Sequence, residues 1–409
     1  MGADRQYLTA KQAADALGVT MATLYAYTSR GQLRSEPVPG RPRERRYYRQ
    51  DIERLRERKE MRRDPAKAAA RGLHWGSPVL ESGITLIQNG ALYYRGQDAV
   101  KLAETAPLEQ VAELLWVAEA TERQGLFAQR QPLSPGLLAR LRACAKDPLP
   151  LMQAALATAG AGDWKSYDLR PPAVCRTGAR ILRLMTAIAA GRDSQVPVHL
   201  ALQAAWAPRK AAAANAIRTA LVLSADHELN VSAFAARCAA SAQASPYDVV
   251  SAAMATFKGS LHGGATERIS SLFAETETPR RGHTVLANRL RRGERIPGFG
   301  HPLYPAGDPR AALLLRLAEA SGNQGEWRLV RSLSKAGSEL LHELPNLDFG
   351  LVAVARTFGL PEHAPLLMFA LGRVVGWIAH AIEQYAEGNL IRPRARYTGP
   401  LPGAAATLA

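Results

Sequence analysis

Alanine-rich apolar runs, with few alternating segments, most constrain how this chain can fold. The run RKAAAANAIRTALVL at residues 209–223 is typical of close-packed helices. Little of the sequence alternates apolar and polar residues as a half-buried strand does. Hydrophobic residues make up 47% of the 409 residues, which is enough for well-packed cores. We therefore predict an all-α fold class, and the length indicates two or three domains.

Cysteine usage and the apolar segments bear on the cellular compartment. Cys144, Cys175 and Cys238 are far apart and form no C-x-x-C motif, which argues against a disulfide framework and fits a reducing cytosol. The first ten residues, MGADRQYLTA, lack an apolar signal core. The longest apolar stretch, residues 365–382, contains Arg373 and predicts a buried helix rather than a membrane span. We expect a cytoplasmic protein with no membrane partner.

Positive charge is concentrated at the start of the chain. The formal net charge is +16, and residues 1–71 contain 14 arginines and 3 lysines against 9 acidic residues, a net +8. Half of the excess charge thus lies in about a sixth of the chain. This asymmetry indicates a separate module that faces a polyanion.

The stretch YLTAKQAADALGVTMATLYAYTSRGQL predicts a helix, a tight turn and a second helix. Thr9 can cap the first helix, with Gln12 three residues later as in a capping box. Gly18 supplies the turn, Thr20 can cap the second helix, and Leu24 faces inward. A basic hairpin punctuated by glycine and proline follows, and then a charged helix.

This pattern resembles the winged helix-turn-helix of the MerR and excisionase type over roughly Tyr7 to Arg58. The resemblance implies that the second helix enters a major groove and that the basic wing follows the phosphates. The alternative is a solvated basic hairpin that packs on the main domain or holds a dimer. We assign residues 1–62 to this module and 63–76 to a linker. The expected DNA contacts are Thr23, Tyr25, Tyr27, Arg30, Arg43, Arg45 and Arg46.

Several common catalytic motifs are missing beyond residue 76. The sequence there has no Walker loop, no G-x-G-x-x-G after a strand, no G-x-S-x-G and no H-E-x-x-H. The glycine-rich segment GSLHGGA lacks the lysine that a phosphate-binding loop needs. Nucleotide hydrolysis, Rossmann redox chemistry and zinc hydrolysis are therefore disfavoured, and we expect neither a metal nor a bound cofactor.

Polar residues instead interrupt otherwise apolar helical sequence. Each has an ordinary structural explanation: His262 and His301 could cap glycine turns, Asp348 could be an N-cap, and Arg373 could be a buried ion-pair partner. Together they are better explained by one site. Arginines bind carboxylates, imidazoles polarise a carbonyl, and a carboxylate can remove a proton from carbon. That set suits carbon–carbon bond formation between an enolisable substrate and an anionic keto acid.

The same residues lie in motifs that resemble the citrate synthase family, from about Leu80 to Pro400. The motifs ADHELNVSAF, LHGGA, GFGHPLY…DPRA, NLDF, GRVVGWIAHAIEQ and IRPRARYTGP occur in the family's order. The resemblance implies an all-α citrate synthase fold in which a small domain closes over the substrates. The large domain would comprise residues 77–262 and 363–409, and the small domain residues 263–362.

The resemblance also implies catalytic roles. Asp348 matches the general base that takes a proton from the methyl group of acetyl-CoA. His262 matches the group that stabilises the enolate by donating a hydrogen bond. His301 matches the imidazole that polarises the carbonyl of oxaloacetate. These three are the predicted catalytic residues.

Binding residues are implied in the same way. His227, Arg310 and Arg373 match ligands of oxaloacetate and citrate. Arg392 matches an arginine that reaches into the neighbouring subunit's site, which implies a homodimer. Gly298 and Gly300 match a loop whose backbone approaches CoA.

The predicted function is citrate synthase, which condenses acetyl-CoA with oxaloacetate and hydrolyses citryl-CoA. One alternative is a 2-methylcitrate synthase that uses propionyl-CoA. A second is a DNA-binding regulator whose synthase domain senses a metabolite. A citryl-CoA lyase activity is a less favoured third. The sequence favours an enzyme, because a sensor does not need the base Asp348, whereas the basic first module favours DNA contact.

Overall fold

The computed structural model describes residues 7–38, 41–49, 51–52, 55–56, 80–117, 126–127, 136, 140, 147–395 and 397–399. The chain divides into two compact units, Met1–Glu81 and Ser82–Ala409. The linker predicted at residues 63–76 lies outside the described residues. The domain boundaries proposed from the sequence remain predictions.

The first unit combines a three-stranded sheet with two short helices. Its elements are β1 (Tyr7–Thr9), α1 (Ala10–Leu17), α2 (Met21–Ser29), β2 (Ser35–Val38) and β3 (Arg41–Tyr48). The strands are antiparallel in the order β1-β3-β2. Tyr47 of β3 and Leu24 of α2 are fully buried in a small core that also contains the apolar face of α1.

The helix caps and the glycine turn predicted for the first unit are confirmed. The side chain of Thr9 accepts a hydrogen bond from the backbone of Gln12, and the side chain of Gln12 accepts one from the backbone of Thr9, which completes the capping box. Gly18 ends α1 with φ of 60°, a left-handed conformation that glycine adopts without steric cost. Thr20 caps α2 by accepting from the backbone of Thr23.

The second unit begins with an antiparallel meander of β4 (Thr85–Gln88), β5 (Ala91–Tyr94) and β6 (Gln97–Asp98), and is otherwise helical. Its described helices are α3 (Ala99–Thr105), α4 (Leu108–Trp116), α5 (Pro148–Gly162), α6 (Pro171–Ala190), α7 (Val198–Trp206), α8 (Ala212–Leu223), α9 (Val231–Ser241), α10 (Pro246–Phe257), α11 (Ala265–Thr276), α12 (Gly282–Arg291), α13 (Pro309–Glu319), α14 (Gln324–Leu341), α15 (Leu347–Phe358) and α16 (Ala364–Glu387). Short 3₁₀ helices lie at Trp164–Tyr167 and Pro279–Arg281. The mostly helical class is confirmed.

Two apolar cores meet at α15. The larger core contains Leu347, whereas the smaller core, built mainly on α11, α12 and α14, contains Phe349. Asp348 lies between these two residues in sequence. The helix therefore holds a carboxyl group where the two cores join.

Helix α16 is the central helix of the larger core. Among the described residues, it alone is long and apolar enough to cross a membrane, and its most apolar window is entirely buried. Arg373 lies inside this helix and is 1% exposed. The prediction of a buried core helix is confirmed.

Candidate active site

Asp348 lies in the first turn of α15, whose N-cap is Asn346. The Oδ1 atom is buried and has no hydrogen-bond partner among the described residues. Burial raises the pKa of Asp348 to about 6, although Arg310 and Arg373 both act to lower it. A carboxylate with one unpaired oxygen and a pKa close to neutral is suited to accept a proton.

His262 lies in the glycine-rich turn between α10 and α11. Its Nε2 lies 2.8 Å from Oγ of Ser232, and the indole N–H of Trp377 donates to the same oxygen at 3.0 Å. Burial lowers the pKa of His262 to about 3. The ring is therefore neutral near pH 7. The hydroxyl of Ser232 orients it. This serine was not among the site residues predicted from the sequence.

His301 lies in the loop that precedes α13. The backbone N–H of Leu303 donates to Nδ1 of this ring at 3.1 Å, so the proton of the neutral imidazole lies on Nε2. Burial, helped by the nearby Arg310, lowers the pKa of His301 to about 4. His301 is thus a neutral hydrogen-bond donor through Nε2.

Gly298 and Gly300 join the His301 loop to the segment that leads into α15. Their φ angles are 94° and 70°, in the left-handed region that glycine tolerates. The N–H of Gly300 donates to the carbonyl of Leu344, and the N–H of Asn346 donates to the carbonyl of Gly298, both at 2.9 Å. This backbone connection fixes the position of His301 relative to Asp348.

Tyr304 contacts three of the site residues predicted from the sequence. Its hydroxyl lies 3.0 Å from Nε2 of His227. Its ring lies 5.0 Å from that of His301 and 5.2 Å from the guanidinium of Arg310. The sequence analysis missed this residue, although it lies within the GFGHPLY motif that identified His301.

Arg310 forms a buried two-point ion pair with Asp308. Nε and Nη2 of the guanidinium lie 2.9 and 2.8 Å from the two carboxylate oxygens. Although burial acts to raise the pKa of Asp308, Arg310 holds that pKa below its usual value. Asp308 also accepts from the backbone N–H of Leu347 at 3.0 Å. Arg310 is therefore held rigidly beside the start of α15.

Arg373 is a second buried guanidinium. Its Nε donates to the carbonyl of Ser224 at 2.9 Å, and its Nη1 has no hydrogen-bond partner among the described residues. Gly372 and Gly376 flank it on α16, where a Cβ would overlap the chain at Leu221–Asp226. A buried cation with an unused N–H group is suited to bind an anionic ligand.

Asp226 supplies negative charge close enough to act on Arg373. Its Oδ2 accepts from the hydroxyl of Thr85 at 2.6 Å, and its Oδ1 lies 3.3 Å from Nε2 of His380. Burial acts to raise the pKa of Asp226, but His380 and Arg373 bring it below its usual value. The group thus remains an anion in the core.

Arg392 does not join this cluster within one chain. It is exposed beyond the end of α16, and the described contacts include none between it and the other site residues. Among the described residues, no group of three or more His, Cys, Asp or Glu side chains could hold a metal ion.

The expected DNA-contact residues differ in exposure. On α2, Tyr25 is 51% exposed whereas Tyr27 packs against the core; Arg30, directly after the helix, is exposed. The hydroxyl of Thr23 is hydrogen-bonded to that of Thr20 at 3.0 Å.

Two arginines of the basic strand β3 have partners within the first unit, and the charge of Arg46 is paired. Arg45 donates to Oγ of Ser35 at 2.8 Å, and Arg46 donates to Glu36 at 2.7 Å. The side chain of Arg43 lies outside the described residues.

Comparison with known proteins decides the family. The family model described as "Citrate synthase, C-terminal domain" matches residues 72–394. The chain belongs to the citrate synthase family. A second model, described as "Helix-turn-helix domain", matches residues 7–60. The chain is therefore an enzyme of the citrate synthase kind with a helix-turn-helix domain at its start.

Individual members of the family are similar along most of their length. Citrate synthase of Haloferax volcanii is 31% identical over 80% of this chain and 95% of its own. 2-Methylcitrate synthase of Shewanella oneidensis is 29% identical over 83% of this chain and 97% of its own. A citrate synthase from Thermoplasma acidophilum, solved with carboxymethyl coenzyme A and oxaloacetate, superposes with a TM-score of 0.70 at 26% identity, over 81% of this chain and 96% of that one. Identities of this size do not separate the two substrate specificities.

Proposed function

We propose that this citrate synthase family member condenses acetyl-CoA with oxaloacetate and releases citrate and CoA. The observation that carries the proposal is the unpaired Oδ1 of Asp348, whose pKa of about 6 suits a base near neutral pH. The buried guanidiniums of Arg310 and Arg373 lie close enough to act on its charge. The second candidate is condensation with propionyl-CoA to give 2-methylcitrate, which the Shewanella oneidensis relative favours.

The first step is deprotonation of the acyl methyl group. Asp348 takes a proton from that carbon, and the negative charge moves to the thioester oxygen as an enolate. The single hydroxyl proton of Ser232 has two acceptors at 2.8 Å, Oδ1 of Asn230 and Nε2 of His262. When it is donated to Nε2 of His262, the imidazole proton lies on Nδ1 and can be donated to the enolate oxygen. A neutral imidazole is suited to this role because it stabilises the enolate without being a strong acid.

The second step forms the carbon–carbon bond. The enolate carbon attacks the keto carbon of oxaloacetate, and Nε2–H of His301 donates to the carbonyl oxygen that becomes the hydroxyl of citryl-CoA. Arg310 and Arg373 bind the carboxylates of the keto acid, and His227 assists them. Water then cleaves the thioester, and the products are citrate and CoA.

The remaining parts of the site depend on assembly. We propose a homodimer in which Arg392 completes the site of the neighbouring subunit, in agreement with its exposed position outside the cluster. The backbone at Gly298 and Gly300 would approach CoA. The enzyme would act in the cytoplasm and would need neither a metal nor a bound cofactor.

A thiol-release assay tests the proposal. Purified protein is given oxaloacetate with acetyl-CoA or with propionyl-CoA, and Asp348→Ala serves as the control. CoA release that requires both oxaloacetate and Asp348 supports a synthase, and the ratio of the two rates identifies the acyl donor. A folded protein that releases no CoA from either donor contradicts the proposal.

We further propose that the first unit binds DNA. The helix-turn-helix match at residues 7–60 and the +8 charge of residues 1–71 support this second function. In this case the synthase unit could report a metabolite to the DNA-binding unit. Tyr25, exposed on α2, and Arg30, exposed directly after it, are the contacts that we expect in the groove.

The salt dependence of DNA binding tests the second function. Fluorescence anisotropy on mixed-sequence duplex DNA is measured for the full chain, with and without oxaloacetate. The pair Arg45→Ala and Arg46→Ala should reduce the slope of log affinity against log salt by about 2, because each lost phosphate contact removes roughly 0.9. The matched control changes Arg328 and Arg331, two exposed arginines of α14. Equal slopes for both pairs contradict the wing assignment.

A further inference from the structure

Tyr304 occupies the centre of the keto-acid ligands. It is 2% exposed, and its ring or hydroxyl lies against His227, His301 and Arg310. Each of these three residues is a proposed ligand of oxaloacetate, whereas none is a proposed ligand of CoA. A change at Tyr304 should therefore affect one substrate more than the other.

The hydrogen bond between Tyr304 and His227 can have either direction, with different consequences. Nδ1 of His227 makes no hydrogen bond within the described part of the chain, and the ring is 7% exposed. If the phenol donates to Nε2, the imidazole proton lies on Nδ1. That nitrogen then offers an N–H group to a ligand oxygen. In the opposite arrangement Nδ1 offers a lone pair, which repels a carboxylate or carbonyl oxygen.

Two features favour donation by the phenol. Burial raises the pKa of Tyr304 to about 12, so that the hydroxyl keeps its proton, and among the described residues Nε2 of His227 is the only hydrogen-bond acceptor within its reach. Burial and the adjacent Arg310 lower the pKa of His227 well below its usual value, so that its imidazole is neutral and can accept. Burial and the neighbouring guanidinium thus disfavour the imidazolium form, in which both nitrogens would donate.

We propose that Tyr304 is a positioning residue that holds His227 in its Nδ1–H tautomer and thereby sets the affinity for oxaloacetate. The proposal rests on the function proposed above and deepens it. Tyr304 lies three positions after His301 in the same loop. This loop therefore supplies the imidazole that polarises the carbonyl and also fixes the tautomer of His227. The bond joins loops 77 residues apart in sequence.

The test compares Tyr304→Phe with Tyr247→Phe in the full-length protein. Both variants lose one buried hydroxyl, and that of Tyr247 donates to Asp163 at 3.1 Å in a different part of the fold. Oxaloacetate binding is measured by calorimetry without CoA. KM values for both substrates and kcat are measured by thiol release, and thermal unfolding verifies that each variant folds.

We expect Tyr304→Phe to weaken oxaloacetate binding and raise its KM roughly three- to tenfold, the range of one net hydrogen bond. The KM for acetyl-CoA and kcat should change by less than about twofold, because the variant keeps the aromatic ring beside His301 and loses only the hydroxyl bonded to His227, which contributes to binding. Tyr247→Phe should leave all three parameters unchanged.

Every other outcome overturns the inference, and one of them also overturns the proposed function. Equal oxaloacetate affinity in Tyr304→Phe and the unaltered protein overturns the inference while the proposed function stands. Equal losses for both substrates, or the same change in Tyr247→Phe, indicate a purely structural role and also overturn it. An unaltered protein that neither binds oxaloacetate nor releases CoA overturns the proposed function and the inference together.

Discussion

Replacement of Asp348 by asparagine should inactivate the enzyme and stabilise its fold. The pKa of the carboxyl rises from its ordinary 3.8 to about 6 because the folded chain buries it. The folded state therefore binds the proton more tightly than the unfolded state, and ionisation opposes folding. Near pH 7.5 the ionised carboxyl lowers the free energy of unfolding by about 3 kcal/mol, since each pKa unit corresponds to about 1.4 kcal/mol. Asparagine has nearly the same shape and carries no charge, so this cost disappears.

The pH dependence of the effect identifies its cause. The gain in the free energy of unfolding should be about 3 kcal/mol near pH 7.5 and fall to about 1 kcal/mol near pH 4.5, where the native carboxyl is already protonated. Urea unfolding at both pH values measures this difference. Thiol release should fall at least about a hundredfold, the usual contribution of a general base.

Asp308→Asn is the matched control because its effect has the opposite sign. Arg310 holds the pKa of Asp308 below its usual value even though burial acts to raise it. Its ionised form therefore stabilises the fold above the unfolded-state pKa, and the variant should be less stable near pH 7.5. If Asp348→Asn is not more stable than the unaltered protein near pH 7.5, or gains equally at both pH values, the carboxylate is not desolvated and the reasoning fails.

Three further predictions concern the same site. The kcat/KM for acetyl-CoA should fall as pH decreases through about 6, because protonation of Asp348 in the free enzyme removes the base; an acid limb centred near the ordinary carboxyl value would contradict this assignment. Ser232→Ala removes the partner of His262 and should lower kcat roughly tenfold or more with little change in the KM for oxaloacetate; an unchanged kcat would show that the serine does not orient the ring. Gly376→Ala places a Cβ against the carboxylate of Asp226 and should lower the free energy of unfolding by about 1–3 kcal/mol, measured by urea unfolding; a neutral result would mean that the loop relaxes freely.

The sequence by itself determined the local structure of the first unit. The capping box of Thr9 and Gln12, the left-handed Gly18 and the cap at Thr20 all depend on neighbours within four residues. Such contacts need no residue distant in sequence, and so they can be predicted from the sequence directly. The order of six motifs likewise indicated the citrate synthase family, because each motif is contiguous.

Only the tertiary structure decided how the chemical groups of the site behave. The pKa of Asp348 depends on burial between two cores, which no short segment specifies. The Ser232 hydroxyl that contacts His262 also accepts from Trp377, 145 residues away in sequence. Electrostatic and hydrogen-bond energies depend on distance and desolvation in space, and these are set when distant helices pack. For the same reason Tyr304, inconspicuous as one aromatic in a loop, became visible as a site residue only in the folded chain.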